Sequence, residues 1–442
     1  MVKMSNSLKT IVQFSIGYRC GDEYYQNFIP YSGGLCDVVK GIAERTPYNV
    51  IVYTRRKDKP WVNENELGLD SVVNYYPAPN VRVIGVPAVK LLKWEEEILK
   101  NLNYLYIIPM NEKQERREEI IREIDYNATI LKRLIKGYDG IKIDNSGIII
   151  HAHDWLNAAS LYLIKKHYPK TKTIFQVHLS SERKDYLDTR LVYEKIGCEF
   201  CDRVVAVSNS QAKTLSLHNL DEKKIIVIPN AIDTRKWAPP STELEFKEIE
   251  EVKAKYGIKG PYILSTGRYV EEKGHIPLLL ASSIFLKEHP DFYLVIAGFN
   301  GSRNLYNLLE ERRRKMENNI RERIILFPPE TTLNEREEIR LNQGCEAYAC
   351  LSYFEAFGLV AIKAMACGKP VVASDIPTFE EVVGDSGIRV KINLEEIADG
   401  LEKAVEGKNY YGERAKVRVK ERFSWDVIAK EYKKLYDELY EM

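Results

Sequence analysis

No stretch of this 442-residue chain approaches the roughly 18 consecutive apolar residues of a membrane-spanning helix. Its first apolar run, Ile11–Ile16, is too short for the core of a secretion signal and reads as a β-strand. Cysteine is sparse: seven residues, an odd number scattered through a large chain, argue against a disulfide framework and for a reducing compartment. Cys198 and Cys201 alone have Cys-x-x-Cys spacing, and without a second pair they read as packing residues rather than half of a zinc site. An excess of either charge is missing too. Lys and Arg number 65 against 64 Asp and Glu, so no global field recruits nucleic acid or an anionic membrane, and any anion must be caught by local groups. Internal repeats and low-complexity tracts are also absent. These absences predict a soluble, cytoplasmic protein that binds no nucleic acid.

What is present is ordinary globular material on a scale that one core does not serve. Single cores stop growing at about 250 to 300 residues, so two domains are expected. Hydrophobic residues are 45% of the chain, enough for two cores without disulfides or metals. Charged residues reach 29% and run together at Glu112–Glu119, Glu310–Lys315 and Glu335–Arg340. Such an ion-pair-rich surface is of the kind found in hyperthermophiles and predicts a thermophilic source.

Short β-branched runs bounded by turn residues recur at Ile11–Ile16, Asn49–Tyr53, Val81–Val86, Ile148–Ala152, Thr173–Val177, Val204–Val207 and Ile225–Ile228. A second series follows at Tyr262–Thr266, Tyr293–Ala297, Ile324–Phe327, Ala347–Cys350, Val371–Ala373 and Ile388–Val390. Amphipathic helical stretches separate them, the alternation of parallel sheets with crossover helices. The fold class expected is therefore α/β, with two tandem Rossmann-like, doubly wound domains on either side of a cleft. Pro229–Asp233 ends the first domain, and Pro239, Pro240, Ser241 and Thr242 interrupt regular structure, which sets the domains at 1–238 and 239–424. Trp94–Tyr106 and Glu115–Ile135 read as long charged helices elaborating the first domain on its acceptor side.

The most informative segment is Ser352-Tyr353-Phe354-Glu355-Ala356-Phe357-Gly358-Leu359, which runs into Gly368-Lys369-Pro370 and the strand at Val371. Gly358 admits close backbone approach, and the helix from Leu359 offers unpaired amides and a positive dipole end. The result is an anion cradle with a carboxylate beside it, suited to accepting hydrogen bonds from sugar hydroxyls. The plain alternative is a helix start with an incidental glutamate. Gly267-Arg268 and Lys273 follow the first strand of the second series, where a guanidinium fork and a mobile ammonium would meet phosphate oxygens. Alone, that pair is more often solvated surface. Both segments belong at the carboxyl edge of one sheet, and together they define a diphosphate site.

In the first domain, Gly33-Gly34 sits between a strand and the helix Cys36–Ala43, as either a turn or a ligand loop. His151-Ala152-His153-Asp154-Trp155 ends a buried strand, its two histidines on one face by strand periodicity and with no further metal ligand apparent. His178 ends the next strand, as a structural histidine or as one that meets the sugar. No Asp-x-Asp occurs, so no acidic pair is available to hold a metal at a nucleotide-sugar site. No metal or other cofactor is expected, and Arg268 and Lys273 are left to neutralise a departing diphosphate.

These segments together resemble the retaining glycosyltransferases of GT-B architecture, the glycogen and starch synthase group with the related sucrose- and trehalose-forming transferases. Phe423-Ser424-Trp425 is similar to the start of that family's last helix, which implies that 425–442 crosses back to the first domain. The resemblance implies that Glu355 and the amides of Phe357, Gly358 and Leu359 hold the donor sugar, that Arg268 and Lys273 hold the diphosphate, and that His178 meets the sugar near its anomeric carbon. It places His153, Asp154 and Trp155 on the acceptor side, and Gly33, Gly34, Gly267 and Lys363 with the donor. It also implies a front-face reaction in which the departing phosphate takes the acceptor's proton, so that no protein nucleophile is needed.

Three positions depart from the family: Lys363 stands where a ribose-accepting glutamate is usual, Tyr31 where glycogen synthases have lysine, and Ala231 where glycine is usual. Lysine donates but cannot accept, so ribose recognition must differ, with Lys363 reaching a phosphate or with weak nucleotide affinity. The first reading is transfer of a hexose, glucose foremost, from an ADP- or UDP-sugar to a saccharide acceptor, an α-glucan foremost. A catalytically weak nucleotide-sugar-binding protein and a transferase acting on a small or lipid-linked glycan are the alternatives.

Overall fold

The computed structural model describes residues 9–15, 34–55, 61–62, 72–89, 126–143, 147–178, 187–216, 221–299 and 302–442. Its contacts divide the chain into two units, Met1–Pro229 with Ile428–Met442 and Asn230–Val427. The helix expected over Trp94–Tyr106 lies outside the described residues. Of Glu115–Ile135 only the end is described, within a helix over 126–136.

The first unit carries the strands β1 (Thr10–Phe14), β2 (Asn49–Arg55), β3 (Trp61–Val62), β4 (Val73–Ala78), β5 (Val81–Val86), β6 (Ala88–Val89), β7 (Ile148–His153), β8 (Lys172–Val177), β9 (Arg203–Ala206) and β10 (Ile225–Val227). Eight of them form one sheet in the order β10-β9-β8-β7-β1-β2-β5-β4, while β3 and β6 pair separately. The large sheet is parallel except for β4, which runs antiparallel to β5. Strands covered on both faces need continuous apolar runs, and β7 is buried along its whole length. Edge strand β4 lacks that pattern and contains Pro77, which cannot donate to a ladder and is tolerated only at an edge. Val12, Phe14, Ile51, Tyr53, Ile150 and Phe175 form the core with Ile130, Leu134, Leu161 and Ile164 from the flanking helices.

The last helix, Trp425–Glu441, packs on this unit through one face. Ile428, Tyr432, Leu435, Tyr436 and Leu439 recur at helical spacing and are all buried. Hydrogen bonds from Tyr440 Oη to the Thr10 carbonyl (2.8 Å) and from Tyr48 Oη to Asp437 (2.8 Å) fix its register.

The second unit is an all-parallel sheet of β11 (Tyr262–Arg268), β12 (Tyr293–Phe299), β13 (Ile324–Leu326), β14 (Ala347–Cys350), β15 (Val371–Ser374) and β16 (Ile388–Val390). The order β13-β12-β11-β14-β15-β16 winds outward in both directions from β11 and β14. Ile263, Leu294, Ile296, Ala349 and Val372 pack with Leu278, Phe285, Ile397 and Leu401 of two covering helices. The helix Glu243–Lys255 starts with a capping box in which Thr242 and Glu245 satisfy each other's backbone amides. Entry to and exit from this unit run side by side, since Ile232 accepts from Trp425 N (3.2 Å) and donates to the Phe423 carbonyl (3.0 Å).

Candidate functional site

In a doubly wound sheet, ligands bind at the carboxyl ends of the strands where the winding reverses. In the second unit that point lies between β11 and β14, and the two informative sequence segments are the loops that follow these two strands. After Arg268 the chain makes a 3₁₀ turn, Glu271–Lys273, which Gly274 ends in the left-handed region at φ 65°. A Cβ on Gly274 would lie 2.0 Å from the Leu351 carbonyl oxygen, so only glycine lets the two loops meet here. Tyr353 N donates to the Glu272 carbonyl (2.8 Å) and ties them again.

The loops converge on Glu355, which is 8% exposed. Its Oε1 pairs with the Lys273 ammonium and accepts from Ser352 Oγ (2.9 Å), and its main-chain carbonyl accepts from Thr378 Oγ1 (2.7 Å). Oε2 accepts no hydrogen bond from any described residue. The Arg268 guanidinium likewise has no hydrogen-bond or ion-pair partner among the described residues. Beneath it His275, which sequence reasoning passed over, holds Arg268 by its carbonyl at 3.1 Å from Nε2. Burial lowers the His275 pKa to about 4, so the ring stays neutral and donates from Nε2 near neutral pH.

Gly358 stands at φ 90° before the helix Leu359–Ala366, whose first amides have no side-chain cap. A Cβ there would lie 2.6 Å from Phe379 Cε1. The helix start therefore presents bare N–H groups and about half a positive charge on the Glu355 loop. Phe357 turns its ring into the core, edge-on to Phe423 at 5.4 Å, so only its backbone is available to a ligand. Gly267 immediately precedes Arg268 on β11, with φ 151°. Lys363 is buried and directs its ammonium to the Glu338 carboxylate (2.8 Å) and over the Trp237 ring, 4.7 Å from its centroid. That cation is engaged by a carboxylate and an indole of the protein itself.

In the first unit the winding reverses between β1 and β7. Gly34 opens the helix Gly34–Arg45 after β1, while Gly33 and Tyr31 lie outside the described residues. His151 and His153 stack on one face of β7 at 4.1 Å. His151 Nδ1 meets Tyr436 Oη at 2.8 Å, and His153 Nδ1 meets His178 Nε2 at 3.1 Å. Tyr432 Oη donates to Gln176 Oε1 at 3.1 Å. Desolvation lowers the pKa of His151 and of His178 to about 3 and that of His153 well below its usual value, which leaves three neutral imidazoles. Tyr432 and Tyr436 were not foreseen, although their spacing of four on an amphipathic last helix was visible. Asp154 has φ 64°, the single positive φ outside glycine among the described residues, and its carboxylate accepts from Trp155 N (2.9 Å). Trp155 packs against Tyr193 at 5.9 Å. Among the described residues no group of three or more His, Cys, Asp or Glu could hold a metal ion, and no helix is long and apolar enough to cross a membrane.

Comparison with known proteins bears on the fold that carries these loops. Residues 248–421 match the family model Glycosyl transferases group 1, and residues 120–236 match Glycosyltransferase Family 4. The chain is 27% identical over 259 residues to the alpha-maltose-1-phosphate synthase of Mycolicibacterium smegmatis, a match covering 55% of this chain and 65% of that protein, less than two thirds of its length. The sucrose-phosphate synthase from Thermosynechococcus elongatus superposes with a TM-score of 0.67 at 19% identity, covering 98% of this chain and 99% of the other. The catalytic domain of starch synthase IV from Arabidopsis thaliana, bound to ADP and acarbose, superposes with a TM-score of 0.69 at 18% identity over 98% and 100% of the two chains. Both structures share the fold of two Rossmann-like domains, one matched by each family model. The chain thus carries two glycosyltransferase family-model domains, at 120–236 and 248–421, and has the GT-B fold.

Proposed function

We propose that the protein transfers a hexosyl group, glucose foremost, from a nucleoside diphosphate sugar to a saccharide acceptor with retention of anomeric configuration and without a metal. The observation that carries the proposal is the convergence of Arg268, Lys273, Glu355 and the uncapped amides after Gly358 at the reversal point of the second sheet. The amides and Arg268 suit the diphosphate, and Glu355 Oε2 suits the sugar hydroxyls. In the transfer, a bond forms from the acceptor oxygen to the anomeric carbon as the bond to the phosphate oxygen breaks, and the acceptor's proton passes to that phosphate. Catalysis then rests on orientation and on stabilising the leaving charge. Asp154, Trp155 and His178 keep the acceptor and sugar roles that the family resemblance implies.

The foremost acceptor is an α-glucan, extended from ADP- or UDP-glucose in the manner of a glycogen synthase. A small phosphorylated sugar is the second reading, favoured by the names of the maltose-1-phosphate and sucrose-phosphate synthases that this chain resembles. A panel of ADP-, UDP- and GDP-sugars against glycogen, maltooligosaccharides, simple sugars and sugar phosphates, read by nucleoside diphosphate release and product size, separates them. Polymer growth supports the glucan reading and a single addition the small acceptor. Binding of donor without transfer to any acceptor leaves a nucleotide-sugar-binding protein.

A further inference from the structure

Lys273 and Glu355 neutralise each other. A bare phosphate compound must pull the ammonium from its carboxylate and leave Glu355, 8% exposed, without its cation. A desolvated, unpaired carboxylate is costly, and that cost falls on the binding of the anion. A ligand bearing phosphate and hydroxyls together meets no such penalty. Its phosphate takes Lys273 while its hydroxyls donate to Glu355 in the same event.

We infer that the Lys273–Glu355 pair is a specificity device that favours the intact phosphate-sugar donor over the nucleoside diphosphate left after transfer. The inference rests on the proposed donor reading and adds to it a means of product release. Once the sugar has left, Glu355 recaptures Lys273 and the diphosphate loses a cation. Arg268, which has no partner to surrender among the described residues, gives no such discrimination and holds either ligand.

The test is calorimetric titration of the full chain with ADP, UDP, ADP-glucose and UDP-glucose. Wild-type protein is expected to bind a nucleotide sugar more tightly than the matching diphosphate. Glu355→Gln, which frees Lys273, is expected to bind the diphosphate about tenfold more tightly and the sugar nucleotide more weakly, since a partly buried charge pair is worth at least that factor. Unchanged or weaker diphosphate binding by a folded Glu355→Gln protein overturns the inference. A second measurement needs no variant: glucose at saturating concentration should tighten diphosphate binding to the wild-type protein, because each ligand releases the group the other needs. Absence of that coupling also overturns it. Failure of wild-type protein to bind any of the four nucleotides overturns instead the donor reading beneath it.

Discussion

The two units place their chemistry at the same point of the same kind of sheet and treat charge in opposite ways. At the β1/β7 reversal, three imidazoles and two phenols pack with no carboxylate or ammonium among their described hydrogen-bond partners, and burial keeps the imidazoles neutral. At the β11/β14 reversal, a lysine and a glutamate are each other's partner, and an arginine at the sheet edge has none among the described residues. Burial without a partner removes charge, whereas burial with one stores it for a ligand. The first arrangement suits shape and hydrogen-bond recognition, the second a developing negative charge.

Acid should break this comparison most visibly. His151 and His178 fold neutral but bind a proton below about pH 6.5 when unfolded, so their contribution is complete above that pH and is lost as pH falls toward about 3, and burial shifts His153 in the same direction. His151 and His178 each cost about 1.4 kcal/mol per pH unit in that window, against one such imidazole, His275, in the second unit. Hydrogen exchange at pH 7 and pH 5 should show the first unit losing protection faster. Equal loss in both units would remove the distinction.

Next in size, Arg268→Ala or Lys273→Ala should each lower transfer about 10²-fold, as expected on removing one donor that stabilises the leaving charge. Near wild-type release of nucleoside diphosphate by both variants would take them out of the phosphate site. Gly358→Ala should cost about 2 kcal/mol, because a side chain is strained at φ 90° and its Cβ meets Phe379. A denaturant midpoint that does not move would contradict the geometry. Smallest, Tyr436→Phe strips His151 of its partner and should cost about 1 kcal/mol. Urea melts followed at Trp155 and Trp425 would register that loss in the first unit.

The strands were legible because buried parallel strands write themselves as apolar runs, and each expected run corresponds to a strand shifted by at most two residues at an end. Strand β4 was not, since Pro77 and the exposed Asn74 and Tyr76 erase its pattern. Arg268, Lys273 and Glu355 could be placed on one sheet edge from sequence, because loops after parallel strands all emerge there. That Lys273 reaches Glu355 across 82 residues could not, and neither could the bond of Lys363 to Glu338 across 25 residues. Such pairings follow from tertiary packing, which no local spacing encodes. The expectation that His151 and His153 share a face held because strand alternation alone decides it.

The abutment of Gly274 on the Leu351 carbonyl has a consequence for engineering. The cation loop and the carboxylate loop are one module made of two sequence segments. A graft of residues 352–358 from a relative to alter sugar preference must leave Gly274 in place, because any side chain there meets the Leu351 backbone whatever the graft carries.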